Sequence, residues 1–289
     1  MPASYNENLV AVRDVESLRS RIHAWRREGL SIALVPTMGA LHKGHITLME
    51  RAHNMADRVV ATIFVNPKQF APQEDFAAYP RREAEDFEML AAVGVHLLFA
   101  PDVNVMYPPG YATTISLSGL TDVLDGAHRP GHFDGVATVV TKLLLQALPD
   151  IALFGEKDFQ QLAVIRRFVT DLNIPVDIIG VPTVREADGL AMSSRNAYLT
   201  TAERAVAPAL YAAITKAAAT ITSGGKIATA MAEARAEILK AGFASVDYVA
   251  AHHAETLAPL QSNAEPGRVL AAARLGSARL IDNVAIPQK

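Results

Sequence analysis

The sequence predicts an α/β fold, a parallel sheet with covered faces over residues 1–183, followed by a smaller α+β domain over residues 184–289. Two patterns carry this prediction. Short runs rich in Val, Ile and Leu alternate with longer helix-periodic stretches as far as about Val181, which is the spacing of β-α-β units. After Val184 the texture changes to Ala-rich helical stretches and then three short strand-like runs. With 289 residues, 50% of them hydrophobic, the chain can bury one large core or two smaller ones.

Taken in order, residues 15–28 read as an amphipathic, charged helix. Residues 31–36 (SIALVP) are a short apolar run bounded by Gly29 and Pro36, hence a buried strand. Residues 44–55 read as a helix, 58–65 (RVVATIFV) as a second strand, and 81–93 as a helix stopped by Gly94. Strands at 95–100, 151–154 and 176–181 alternate with helices at 133–147 and 159–172. In the C-terminal part, 200–222 and 227–241 read as two helices joined by Ser223-Gly224-Gly225, and 246–251, 268–273 and 278–285 as strands.

The bulk properties exclude several classes. A formal net charge of -3 and the lack of any Lys/Arg run argue against nucleic acid as a partner. Without cysteine there is no disulfide or thiolate metal site, which fits a reducing compartment. Met1 to Arg27 carries charges throughout and has no apolar segment of the secretory kind. The apolar stretch at 136–148 is interrupted by Lys142 and Gln146 and is too short to cross a bilayer, so no membrane is expected. No G-x-G-x-x-G opens the first helix, which disfavours a dinucleotide-dependent dehydrogenase.

The sharpest chemical feature is PTMGALHKGH at 36–45, between a predicted strand and a predicted helix. Gly39 and Gly44 permit close backbone approach to a ligand. The helix N-terminus offers N–H groups and a positive dipole end to phosphate. His42 and His45, three apart, project to one side if the stretch is helical, and their imidazoles can donate to phosphate oxygens as charge builds up. A bare H-x-G-H can also be two solvent-facing loop histidines, a reading that the strand before and the helix after disfavour.

FGEKDFQQ at 154–161 again follows a strand, where open α/β sheets bind ligands. Gly155 allows close approach and Lys157 supplies a point charge. Asp158 can cap the next helix, hold a ribose hydroxyl or bind a metal, and Gln161 can donate and accept. In DGLAMSSRN at 188–196, a small, polar, mobile-looking segment, serine hydroxyls and Arg195 can wrap phosphates, though taken alone the segment reads more readily as a plain interdomain loop. FVNPKQF at 64–70, running on through Glu74 and Asp75 to Tyr79, has no period and can form a lid, with Asn66 and Gln69 facing one crevice. Glu85 and Asp86 can hold magnesium through water, but a solvated acidic helix face is the favoured reading. In RPGHFDGV at 129–136, Arg129 can attract a carboxylate or phosphate; the alternative is an exposed polar turn.

These five motifs, in this order and spacing, resemble the pantothenate synthetase (pantoate–beta-alanine ligase) family, densely from about residue 31 to 200. H-x-G-H alone would indicate only the wider nucleotidyltransferase superfamily. The resemblance implies a Rossmann-like nucleotide-binding domain with a smaller C-terminal lid domain, in a cytoplasmic homodimer. It implies that pantoate attacks the α-phosphorus of ATP to give pantoyl adenylate and pyrophosphate, with Mg2+ accompanying the nucleotide. The amine of beta-alanine then displaces AMP. By the same resemblance Met38, Gly39, Ala40, Leu41, His42, Lys43, Gly44 and His45 hold ATP, together with Gly155, Glu156, Lys157, Asp158, Val184, Met192, Ser193, Ser194 and Arg195. Gln69 and Gln161 bind pantoate, Gln69 also meets beta-alanine, and His45 occupies the position of the proton donor. The magnesium ligands are left open. An ionised carboxylate attacking a triphosphate needs charge neutralisation more than proton transfer, so His42, His45 and Lys157 are expected to act mainly by electrostatics. Two rival readings remain: an adenylate-forming enzyme with another acceptor, and a non-catalytic nucleotide-binding module.

Overall fold

The computed structural model describes residues 9–288. The first eight residues of the N-terminal stretch read above as lacking an apolar segment lie outside the described residues. The chain runs β1 (Val10–Val12), α1 (Val15–Arg27), β2 (Ile32–Thr37), α2 (Lys43–His53), β3 (Arg58–Ile63), α3 (Glu83–Ala92) and β4 (Leu97–Phe99). It continues through α4 (Val103–Met106), α5 (Leu124–His128), α6 (His132–Ala147), β5 (Ile151–Gly155), α7 (Phe159–Asp171) and β6 (Asp177–Val181). The C-terminal part holds α8 (Thr201–Val206), α9 (Ala209–Thr222), α10 (Ile227–Ala241), β7 (Ser245–His253), β8 (Gly267–Leu275) and β9 (Ala278–Ile286).

The chain divides into two compact units. The first comprises residues up to Ser118, then Arg129–Glu156 and Val164–Pro182. It contains a six-stranded sheet of order β1-β4-β3-β2-β5-β6, every pair parallel. The central strands are apolar on both faces because helices cover both, so Ile32, Ala33, Leu34 and Val35 are fully buried. On one face Ala33, Val35, Val59, Ala61 and Leu98 pack with Leu48, Met49 and Ala52 of α2 and Leu90 of α3. The chain lays β3 and β4 to one side of β2 and β5 and β6 to the other, so the order reverses between β2 and β5. A crevice at such a reversal, outside the carboxyl ends of the strands, is where open α/β sheets take their ligands.

The second unit comprises Gly119–His128, Lys157–Ala163 and Thr183–Lys289. A single cut at 183/184 therefore misses two internal segments that group with the C-terminal residues. The reason lies in β8, the middle strand of a three-stranded antiparallel sheet. Its Val269, Ala271 and Ala273 face the apolar stripes of α9 and α10, among them Leu210, Ile214, Ala217, Ile221, Ala230, Ala234 and Ile238. Its Leu270 points the other way and is covered by Leu124, Phe159 and Leu257, which come partly from those segments. Polar bonds fix the same contact. Gln160 accepts from the Asp125 N–H at 2.9 Å and donates to the Leu120 and Val123 carbonyls at 2.8 Å each.

The structure corrects three readings of the sequence. The stretch 200–222 is two helices, interrupted at Ala207-Pro208, where the proline ring cannot continue the preceding ladder. Residues 201–222 meet the length and hydropathy of a membrane span, which the sequence reading did not note. Their small apolar face is used in the core of this unit. Strand β1, too short to show a period, was missed; it exists through its pairing with Leu97–Phe99.

The second unit also holds a largely buried ion network, in which Arg279 bridges Asp125 at 2.6 Å and Asp247 at 2.7 Å. The side chains are 14%, 11% and 16% exposed respectively, so neither aspartate can recruit water fully if the cation is lost. Arg279→Met should therefore destabilise the protein by about 3–5 kcal/mol, measured by urea denaturation; a change within experimental error would show the network to be energetically idle.

Candidate active site

The loop between β2 and α2 opens with a sharp reversal. Thr37 is locked to β3, donating its hydroxyl to the Thr62 carbonyl at 2.6 Å and accepting the Phe64 N–H at 3.1 Å. Gly39 and Ala40 then adopt left-handed backbone, with φ of +79° and +50°. The side chain that holds them there is Asp86 of α3. Its Oδ2 accepts from the Ala40 N–H at 2.8 Å and its Oδ1 from the Leu41 N–H at 2.7 Å. A Cβ on Gly39 would stand 2.9 Å from Asp86 Oδ2 and 3.1 Å from Ile63 Cγ2, so only glycine fits between strand and carboxylate. Burial pushes the Asp86 carboxyl above the usual aspartate range, and the two N–H donors pull it back only in part. Neither sequence reading of Asp86 survives, since it is 2% exposed and both oxygens are occupied by backbone. Glu85 beside it does lie on the solvated face, 3.6 Å from Arg82.

His42 is not helical. It is the N-cap of α2, in extended backbone at φ −144°. Its Nδ1 accepts from the Gly44 N–H at 3.1 Å, and His45 Nδ1 accepts from the His42 N–H at 3.3 Å, a reciprocal capping box made of two imidazoles. The two rings lie 4.1 Å apart, tilted by 38°. Because backbone donors take the lone pair of each Nδ1, the proton of each neutral ring resides on Nε2. Most of the N–H groups expected to be unpaired at the helix start have partners. The N–H groups of Gly39, Ala40, Leu41, His42, Gly44 and His45 are all bonded within the protein. What the loop presents is its pair of imidazoles. Lys43, between them in sequence, is exposed as the first helical residue.

Strand β5, the neighbour of β2, ends at Gly155, where a Cβ would meet nothing within 4 Å and φ is not in the left-handed region. Neither packing nor backbone conformation demands a glycine there, so open space above the strand end is the remaining reason for it. Glu156 is half-buried in the one-turn 3₁₀ segment that follows.

Beyond β3, Asn66 and Gln69 are both buried, on a one-turn 3₁₀ segment capped by the Asn66 side chain. Asn66 Nδ2 donates to Gln69 Oε1 at 3.0 Å and to the Gly135 carbonyl at 3.0 Å. Asn66 Oδ1 accepts the Tyr107 hydroxyl at 2.7 Å. Gln69 Nε2 reaches Met38 Sδ at 3.3 Å, which puts the side chain of Gln69 against the first residue of the loop between β2 and α2. The turn can sit on α6 only because position 135 is glycine: a Cβ there would meet the Lys68 carbonyl at 2.3 Å. Tyr107 was not foreseen, and no spacing in the sequence signals it.

Arg129 found its carboxylate within the chain. It meets Glu74 through Nε at 2.6 Å and Nη2 at 2.8 Å, and its Nη1 contacts His132 Nε2 at 2.9 Å. His132 Nδ1 donates to the Gln69 carbonyl at 2.8 Å, so this cluster braces the Gln69 turn. The segment through Glu74 is thus anchored at several points, with Phe70 packed on Phe76 and Tyr79.

In the second unit, the stretch read as mobile is a pinned hairpin-like turn. The Met192 N–H bonds the Val184 carbonyl at 3.0 Å, which brings these two residues of the sequence-predicted site side by side. Arg185 grips buried Asp282 at 2.6 and 2.9 Å and stacks 3.7 Å over Tyr211. Ser193 caps the 3₁₀ segment Ser194–Tyr198 through the Arg195 N–H at 3.3 Å. Lys157 and Ser193 line one small cavity with Asn196 and Asp282. Asn283 Nδ2 holds the Lys157 carbonyl at 2.9 Å, and Lys157 Nζ lies 3.9 Å from Asp158. Gln160 is the structural glutamine of its pair, buried and fully bonded, while Gln161 is half-buried. Among the described residues no group of three or more His, Asp or Glu side chains could hold a metal ion.

The family model for pantoate-beta-alanine ligase matches residues 10–285. The pantothenate synthetase of Paramagnetospirillum magneticum is 62% identical over 275 residues, covering 95% of this chain and 97% of its own length. That of Rhizorhabdus wittichii is 57% identical, covering 95% and 98%. Among solved structures, pantothenate synthetase from Thermus thermophilus superposes with a TM-score of 0.91 at 47% identity, covering 96% of this chain and 99% of the other. Pantoate-beta-alanine ligase from Francisella tularensis, in complex with beta-gamma ATP and beta-alanine, gives 0.83 at 32% identity, covering 96% and 98%.

The brace around Gln69 has a measurable pH dependence. Burial raises the Glu74 carboxyl, but the hydrogen bonds and charge of Arg129 outweigh it, so the group ends below the ordinary glutamate value. A native carboxyl that binds its proton less tightly than the unfolded one stabilises the fold above the ordinary value, and this is lost as pH falls through the native one. Glu74→Gln should therefore lose stability near neutrality but show a smaller further loss between about pH 7 and about pH 3.5 than the unaltered protein. Parallel denaturation curves at the two pH values check this, and equal acid-side losses would contradict it.

Proposed function

The chain belongs to the pantoate-beta-alanine ligase family, and we propose that it works through charge relief by the imidazole pair of His42 and His45 together with Lys157 and Arg195. It is an AMP-forming ligase that joins pantoate to beta-alanine through an amide bond, giving pantothenate. In the proposed sequence one carboxylate oxygen of pantoate attacks the α-phosphorus of ATP. The bond to the β-phosphate bridging oxygen breaks, and pyrophosphate departs with that electron pair. The amine of beta-alanine then attacks the acyl carbon of the mixed anhydride, AMP leaves, and the amine proton passes to solvent or to the departing phosphate.

The observation that carries this reading is the reciprocal imidazole cap at the carboxyl end of β2. Capping fixes both rings before substrate arrives, so their donors need no reorganisation when negative charge shifts toward the leaving pyrophosphate. Met38, Gly39, Ala40, Leu41, Lys43 and Gly44 form the nucleotide loop, and Gly155, Glu156, Asp158, Val184, Met192, Ser193 and Ser194 complete the proposed ATP contacts. Gln69 and Gln161 are assigned to pantoate, and Gln69 also to beta-alanine; the contact of Gln69 with Met38 supports its place beside the nucleotide loop. Arg129 is left out, because Glu74 and His132 already take its donors.

Mg2+ is assigned to the nucleotide itself. Asp86 is committed to backbone, and magnesium commonly arrives on substrate phosphates with most of its waters. A cytoplasmic homodimer, with residues 184–289 acting as a lid over the nucleotide, completes the proposal.

Pyrophosphate release from ATP should require pantoate, and pantothenate should appear only when beta-alanine is added. Release with a different acid and not with pantoate would select an adenylating enzyme of other specificity, and ATP binding without release would indicate a non-catalytic module. His45→Ala should raise the adenylation barrier by about 3–4 kcal/mol. A pH–rate profile whose high-pH fall disappears in this variant would instead identify His45 as a proton donor.

A further inference from the structure

We infer that Asp86 is a positioning residue for the imidazole pair, and that it serves the adenylate-forming half of the reaction far more than the amine-transfer half. This rests on the reading of the site proposed above. The chain leaves β2 at Thr37 and must reverse through two consecutive left-handed residues, one of them Ala40, before His42 can cap α2. Left-handed backbone is unfavourable for alanine, so the reversal needs an external restraint. Asp86 is that restraint, a buried carboxylate from a different crossover helix whose two oxygens each take one N–H of the loop. Gly39 completes the fit from the other side, with no room for a side chain between its Cα and the same carboxylate.

The consequence runs through one residue. His42 follows Leu41 directly, and its own N–H is what holds His45. Releasing Leu41 therefore loosens the cap residue, and through the cap both rings. The two half-reactions depend on those rings unequally. Adenylate formation expels pyrophosphate and concentrates negative charge, whereas the mixed anhydride is already activated and its aminolysis needs less charge relief. A displacement of about 1 Å in such a site costs on the order of 100-fold in rate.

The test compares half-reactions in Asp86→Asn, which keeps the shape but leaves one of two backbone donors without an acceptor. Pantoate-dependent pyrophosphate release should fall about 100-fold in kcat with KM for ATP changed little, while pantothenate formation from supplied pantoyl adenylate and beta-alanine should stay within about threefold. Asp86→Glu, which keeps the charge but moves the carboxylate by one methylene away from the two loop N–H groups, should show the same split to a smaller degree and carries the comparison if Asp86→Asn does not fold. Equal losses in both half-reactions would mark Asp86 as merely structural, and no loss in the first would remove the inference. If the unaltered protein releases no pyrophosphate with pantoate and ATP, the functional reading itself fails and this inference falls with it. If it does, the ratio of the two half-reactions in the variants decides the inference alone.

Discussion

Strand β2 is hydrogen-bonded on both sides, to β3 through residues 32–37 and to β5 at Ala33 and Leu34, and the rest of the first unit follows from that. A parallel strand can be joined to its neighbours only by crossovers. One series builds outward through β3 and β4, and the other through β5 and β6. The carboxyl ends of β2 and β5 are consequently adjacent, with connections that leave in different directions. Both turns of this unit to which the proposed function assigns ATP contacts, 38–45 and 155–156, begin there.

A crevice of that kind is lined by backbone that has just left a sheet, and each N–H there must find a partner. The molecule meets this requirement largely with side chains, among them the imidazoles to which the proposed function is assigned. His42 and His45 cap the helix and in doing so are aligned with one another. Asp86 satisfies the loop that precedes them. Asn66 ties Gln69 to α6, and Tyr107 ties Asn66. Arg129 and His132 hold the Gln69 carbonyl, while Glu74 neutralises the arginine. Groups held in this way enter a reaction already oriented, and rigidity of this sort is what electrostatic stabilisation needs.

The second unit solves a different problem. Its sheet has only three strands, and β8 must bury both faces. Ala-rich helices cover one face, where small side chains allow close approach. The other is covered in part by Leu124 and Phe159, from segments remote in sequence. Arg279 and Gln160 secure those segments by charge and hydrogen bonds. Lys157 and Gln161 thereby belong to the same compact unit as Ser193 and Arg195, although they follow directly on a strand of the first.

Sequence alone determined the alternation of strands and helices, the glycine and histidine spacing of the loop between β2 and α2, and the family, because periodicity and short motifs are local and need no knowledge of neighbours. It left Thr200–Thr222 as one helix, since an Ala-rich pattern continues across Pro208, and it missed β1, which is strand only through its partner. Only the tertiary structure decided what Asp86, Asn66, Tyr107 and Arg129 do. An aspartate on a helix face looks solvated until the packing of α3 against the sheet carries it under a loop 45 residues away. Whether an arginine is available to a ligand depends on which carboxylate the fold brings to it. Those outcomes are set by contacts distant in sequence, and a linear pattern of residue types does not encode them.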